Sequence, residues 1–209
     1  MSDDMLGKGA LAAVAGPLKD LAEKLAGPDG EGWFAALKRF LRKEDPWGGS
    51  TFPIWMTVAI GGASREDLLM RLEKKGFYVS DWARDIMAKP AFVTSTEPRE
   101  VSFVLPRVKD LGFTEMPTTR ELFGEERLAR LGLGLCEPED GPHLRLADEN
   151  QSRGTWYWLA MRPITGSGGH PYVFSVERYG DGGQWLSASI ANPDNRWSLE
   201  NGIVFRLRK

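Results

Sequence analysis

The sequence predicts an α+β fold, with a helix-rich N-terminal half and an antiparallel β-rich C-terminal half. Three observations carry this. Apolar residues recur at helical spacing in several segments between Leu18 and Gly134. From Leu135 onward, short β-rich runs alternate with turn signals such as "GSGGHP" and "GDGG". Helices and strands are segregated rather than interleaved, which argues against a doubly wound parallel sheet.

The elements follow in order. "LKDLAEKLA" (18–26) places Leu18, Leu21, Ala22 and Leu25 on one face and stops at Gly27-Pro28, giving a short helix on a mobile arm. "GWFAALKRFLRK" gives a second helix whose apolar stripe, from Trp33 to Leu41, is bordered by Lys38, Arg39, Arg42 and Lys43. Pro, Gly and Ser around 46–52 divide a helical N-terminal arm (1–50) from an α+β domain (51–209). "PIWMTVAIGG" alternates as a strand. "SREDLLMRLEKKGF" is a helix with Ser64 and Asp67 at capping spacing and Gly76 as its stop, and "SDWARDIM" is a shorter one capped by Ser80. "EVSFVLPRV" reads as an edge strand, because Pro106 cannot donate to a ladder. "TTRELFGEERLARLGLG" reads as one helix that tolerates Gly124. The strands "HLRLADEN", "TWYWLAMRPI", "YVFSVERY", "QWLSASIA" and "GIVFRLRK" complete the chain.

Composition narrows the function classes. With 42% hydrophobic and 27% charged residues the chain is globular rather than disordered. A net charge of −2 gives no overall attraction to nucleic acid or to an anionic membrane. The single cysteine, Cys136, allows no intrachain disulfide, and the N-terminus is acidic where a signal peptide is basic. The expectation is a cytoplasmic protein with no membrane span.

Chemistry-bearing patterns are sparse. Two histidines, His143 and His170, and one cysteine match no zinc or iron–sulfur spacing, so no metal or other cofactor is expected. Cys136 lies among apolar and acidic residues, which suit a core thiol better than a nucleophile. No "GxSxG" elbow occurs, and the Gly-rich turns lack phosphate-loop spacing. Glu137, Glu139, Asp140, His143 and Asp148 supply oxygen and nitrogen ligands for an alternative reading, a metal-dependent hydrolase or nuclease. As acids beside Gly and Pro they read first as solvated turns.

The favoured site is C-terminal, and it makes the chain a binding protein rather than an enzyme. Between Trp185 and Phe205, with Trp197 among them, lie Ser187, Ser189, Ile190, Asn192, Asp194, Asn195, Arg196, Ser198 and Asn201. Rigid aromatic anchors around short hydroxyl and amide side chains are the palette of adaptable recognition surfaces. Trp185, Trp197 and Phe205 are the expected scaffold anchors; the nine others are the expected contacts to a protein or other macromolecular ligand. The aromatic-basic helix 33–43 is a second place where a partner could dock.

"GGQW", "NPDNRW" and the closing "FRL" resemble the C-terminal variable region of target proteins of diversity-generating retroelements, which display ligand-binding residues on a C-type-lectin-like scaffold. The matching positions are Gly182, Gly183 and Trp185, then Asn192, Asn195 and Asn201, then Phe205 and Arg206. Ile203 and Val204 stand between the glycine and the phenylalanine, where that family usually joins them directly. The resemblance implies a lectin-like C-terminal part with a variable binding surface. "LGLCEPEDGPHLRL" with "WLAMRPI" resembles small uncharacterised bacterial proteins.

Overall fold

A computed structural model describes residues 3–42 and 52–208. The loop expected at 46–52 falls almost wholly outside them, as does Lys43 at the end of the second expected helix. The chain is α+β and divides into two compact units, Met1–Gly49 and Ser50–Lys209. No described helix is long and apolar enough to cross a membrane.

The first unit pairs α1 (Asp3–Ala26) with α2 (Gly30–Leu41). The sequence suggested a short helix after Pro17, but α1 runs through Pro17 from Asp3. Lys24 sits over the Trp33 ring, 4.8 Å from its centroid, so this aromatic-basic contact lies between the two helices. Phe34, Phe40 and Leu41 remain exposed on α2.

The second unit is built on a sheet of nine strands: β1 (Met56–Ile60), β2 (Tyr78–Val79), β3 (Arg99–Val104), β4 (Leu133–Gly134), β5 (Thr155–Leu159), β6 (Ile164–Thr165), β7 (Pro171–Arg178), β8 (Gln184–Ile190) and β9 (Ile203–Leu207). Its order is β1-β3-β9-β5-β7-β8-β2, with β4 added to β9 and β6 to β7. Most pairings are antiparallel, but β5–β9 and β2–β8 are parallel, so the sheet is mixed rather than purely antiparallel. The strand expected at an edge, β3, lies inside, between β1 and β9; it ends at Val104, before Pro106, so the missing N–H costs the ladder nothing.

Local signals set the helices that cover this sheet. In α3 (Arg65–Lys74) Ser64 and Asp67 form a reciprocal capping box, and Gly76 follows at φ +75°, where an L side chain would be strained. In α4 (Asp81–Met87) the Ser80 hydroxyl accepts from the Ala83 amide at 3.2 Å. The stretch expected as one helix across Gly124 is broken there: α5 (Thr119–Leu122) and α6 (Glu125–Arg130) flank a glycine with extended ψ of 111°, and the chain then enters β4.

The largest departure is "HLRL". Its Leu144/Leu146 alternation imitates a strand, yet Asp140–Ala147 is a helix, α7, with Asp140 to Arg145 all buried. Pro142 falls in its first turn, where a missing N–H is tolerated. A Cβ on Gly141 would lie 2.7 Å from the Phe174 ring on β7, so glycine is what lets α7 approach the sheet this closely.

Candidate surface for recognition

On the sheet face opposite α7, the register sets four side chains in one row: Trp156 on β5, Glu177 on β7, Trp185 on β8 and Tyr78 on β2. Trp156 and Tyr78 are about half exposed, at 54% and 55%. Trp185 stacks on Tyr78 with ring centroids 4.7 Å apart, and Tyr179 meets it edge-on at 6.0 Å. Glu177 is fixed between them, accepting from Ser175 Oγ at 2.6 Å and from the Tyr179 hydroxyl at 2.8 Å. The bond to Glu177 pushes the Tyr179 phenol above its ordinary pKa. The arrangement is a stacked aromatic platform with one oriented carboxylate.

Ser187 and Ser189 continue the same face along β8, each two residues further on, and both are half-buried. Ser187 Oγ lies 3.3 Å from Ser80 Oγ, and Ser189 accepts from Trp158 Nε1 at 3.0 Å. Of the remaining expected contacts, Ile190, Asp194, Arg196 and Ser198 are exposed and Asn192, Asn195 and Asn201 half-buried. The backbone that bears them is pinned: Asn195 O accepts from the Thr119 amide, Pro193 O from Arg120, and Asn201 O from Val108. Asn195 Nδ2 donates to Ile190 O, Arg196 donates to Met116 O, and Asp194 faces Arg120 at 3.5 Å.

The anchors differ from one another. Trp197 is 5% exposed, bound through Nε1 to Thr119 Oγ1 at 3.0 Å and packed on Trp158 and Phe123. Phe205 is wholly buried in β9. Trp185 is half-buried instead, because β2, the strand beside it, is an edge strand only two residues long; it belongs to the surface rather than beneath it.

The acids of the alternative site do not converge. Glu139 is buried, accepting from the Ser95 amide at 2.9 Å, with Arg99 3.6 Å away. Asp140 is fully buried and held by Arg206, whose Nε and Nη2 donate to it at 2.7 Å each. His143 Nε2 accepts from the Gly61 amide at 3.3 Å, and Asp148 accepts from the Tyr157 hydroxyl at 3.2 Å. Glu137 is exposed. Among the described residues no group of three His, Cys, Asp or Glu side chains could hold a metal ion. The reading of these acids as solvated turns is therefore corrected for Glu139 and Asp140, which α7 and its N-terminal turn carry into the interior with paired partners.

Burial, with a smaller contribution from Arg71, pulls the His143 pKa down from 6.5 to about 4. The unfolded chain therefore takes up this proton first, between pH 6.5 and 4, so the stability from neutral His143 is complete above the window and lost through it. The expected loss is roughly 3 kcal/mol. Chemical denaturation across that range checks it: the wild-type decline should be largely absent in His143→Gln, whose amide oxygen still accepts from Gly61.

The row escaped sequence reasoning, because Tyr78 and Trp156 are far from Trp185 in the chain and only strand order and register set them in one row with it; Tyr179 alone is near, across the β7–β8 turn. Comparison of the chain with family models, curated proteins and solved structures found no match.

Proposed function

We propose that the chain is a non-enzymatic binding protein that presents the Trp185 face of β8 and the 190–201 segment to a protein or other macromolecular ligand. One observation carries the reading most directly: the nine expected contact residues all reach the surface, while Trp197 and Phe205 beside them are buried. A backbone pinned from beneath with accessible short side chains is pre-organised, so little ordering entropy is lost on binding. The adjoining platform of Trp185, Tyr78, Tyr179 and Trp156 adds rigid aromatic contact area of the kind that dominates interface energetics. In keeping with the resemblance to retroelement-diversified proteins, the displayed side chains form a variable set. The exposed apolar side chains of α2 support a second contact for a partner.

The test is a display library randomised at Ile190, Asp194, Arg196 and Ser198 and selected against hen lysozyme as a neutral probe. Substitutions at Ile190, Asp194 and Ser198 should each change stability by no more than about 0.5 kcal/mol, those at Arg196 by about 1 kcal/mol through the lost bond to Met116 O, and folded binders should emerge. Asn195→Ala, which removes the bond to Ile190 O, should cost about 1 kcal/mol. A library whose members mostly fail to fold overturns the reading. So does an invariant coding sequence at codons 187–201 when the locus is sequenced across its source population, as far as variability is concerned.

A further inference from the structure

We propose that the cavity beside Arg206, on the α7 side of the sheet, is a binding site for a free α-amino acid with an apolar side chain. Its volume is about 590 Å³, within the range of small-molecule sites, roughly 300–1,000 Å³. The walls divide into an apolar part, with Val93, Pro163 and Leu207, and a charged part.

The charged part is what selects the ligand. Arg206 is aimed by Asp140, which takes Nε and Nη2 from a fully buried position. Replacing such a pair by apolar residues is often neutral or stabilising, so its presence suits an orienting role. Nη1 makes no hydrogen bond and only a long ion pair with Glu137 Oε1, 3.9 Å away. Arg208 lines the same cavity and has no side-chain hydrogen bond or ion pair among the described residues. Arg162 is already matched by Glu125 at 2.8 Å. The hydrogen-bonding capacity left open is therefore guanidinium N–H from Arg206 and Arg208 and the carboxylate of Glu137, which meets Arg206 only in a long ion pair. The guanidinium groups of Arg162, Arg206 and Arg208 balance the carboxylates of Glu125, Glu137 and Asp140, so a ligand without net charge leaves the balance undisturbed. A zwitterion meets both demands: its carboxylate receives the Arg206 and Arg208 donors, its ammonium donates to Glu137, and its side chain lies along Val93, Pro163 and Leu207.

The experiment is an NMR titration of the full chain with L-leucine and L-phenylalanine, following the Ile164 methyl groups and the Arg206 Nε–H. At least one amino acid should shift both signals saturably. 4-Methylpentanoate, which lacks the ammonium, and isoamylamine, which lacks the carboxylate, should bind at least tenfold more weakly than leucine. Glu137→Gln and Arg208→Gln, both at exposed positions, should each weaken binding about tenfold while leaving the amide spectrum folded. No saturable shift, shifts confined to other regions, or equal binding of leucine and its two truncated analogues would overturn the proposal. None of these results bears on the recognition surface, which lies on the opposite face of the sheet.

Discussion

Arg206→Met should destabilise the protein by about 3–5 kcal/mol, the loss expected when one partner of a buried ion pair is removed and the other is left. In the variant the Asp140 carboxylate keeps only the Glu137 amide, at 2.8 Å, in a position with no exposure. Burial already raises the Asp140 pKa against the downward pull of Arg206, and losing Arg206 raises it further. A carboxyl whose folded pKa is raised binds its proton more readily folded than unfolded. The variant's deficit should therefore shrink as pH falls from neutrality towards the ordinary carboxylate range. The double variant Asp140→Leu/Arg206→Met should recover most of the loss, because no unpaired charge remains. Denaturant titrations of the single and double variants at neutral and acid pH measure all three effects. A single variant within 1 kcal/mol of the wild type would mean that Asp140 reaches water, contrary to its burial.

Trp197→Ala should cost a comparable amount, about 3–5 kcal/mol, through the lost transfer energy and the cavity left behind. Its indole joins three pieces: the 190–201 segment that bears it, Thr119 at the start of α5, and Trp158 on the sheet. Removing the ring also strips Thr119 Oγ1 of its indole donor in a buried setting. Trp197→Phe, which keeps most of the volume but not the N–H, should lose only part of this. Beyond global stability, hydrogen exchange should quicken at the Thr119 and Arg120 amides, which donate to Asn195 O and Pro193 O. If those amides stay protected in a folded Trp197→Ala variant, the segment is held by something other than the tryptophan, and the proposed scaffold loses its main support.

The parts of the fold that were legible are those governed by neighbours in the chain. The α3 cap joins residues three apart, and the β7–β8 hairpin turns at "GDGG", where Gly182 adopts φ +99°. The misread parts are those in which a distant partner overrules a local pattern. Two alternating leucines in "HLRL" suit a strand until Phe174 presents a surface on which a helix with Gly141 in its first turn can lie. Pro106 marks an edge only if the strand continues through it, and β3 stops first. The candidate site divides in the same way. Ser187 and Ser189 alternate with the buried Leu186 and Ala188, and that alternation is visible in sequence. The placing of Tyr78 and Trp156 in the row of Trp185 is not, because strand order sets it.

Residue order alone determined the α+β class, the turns and caps, and the polar run between aromatic residues, since each depends on periodicity or backbone preference over a few residues. Tertiary structure alone decided which charges are paired. Arg206 finds Asp140 across 66 positions of chain, and Glu139 and Asp148 go to partners of their own rather than to one centre. The physical reason is one of range: conformational preference acts between neighbours, whereas desolvation and ion pairing act between whatever groups packing brings within a few ångströms.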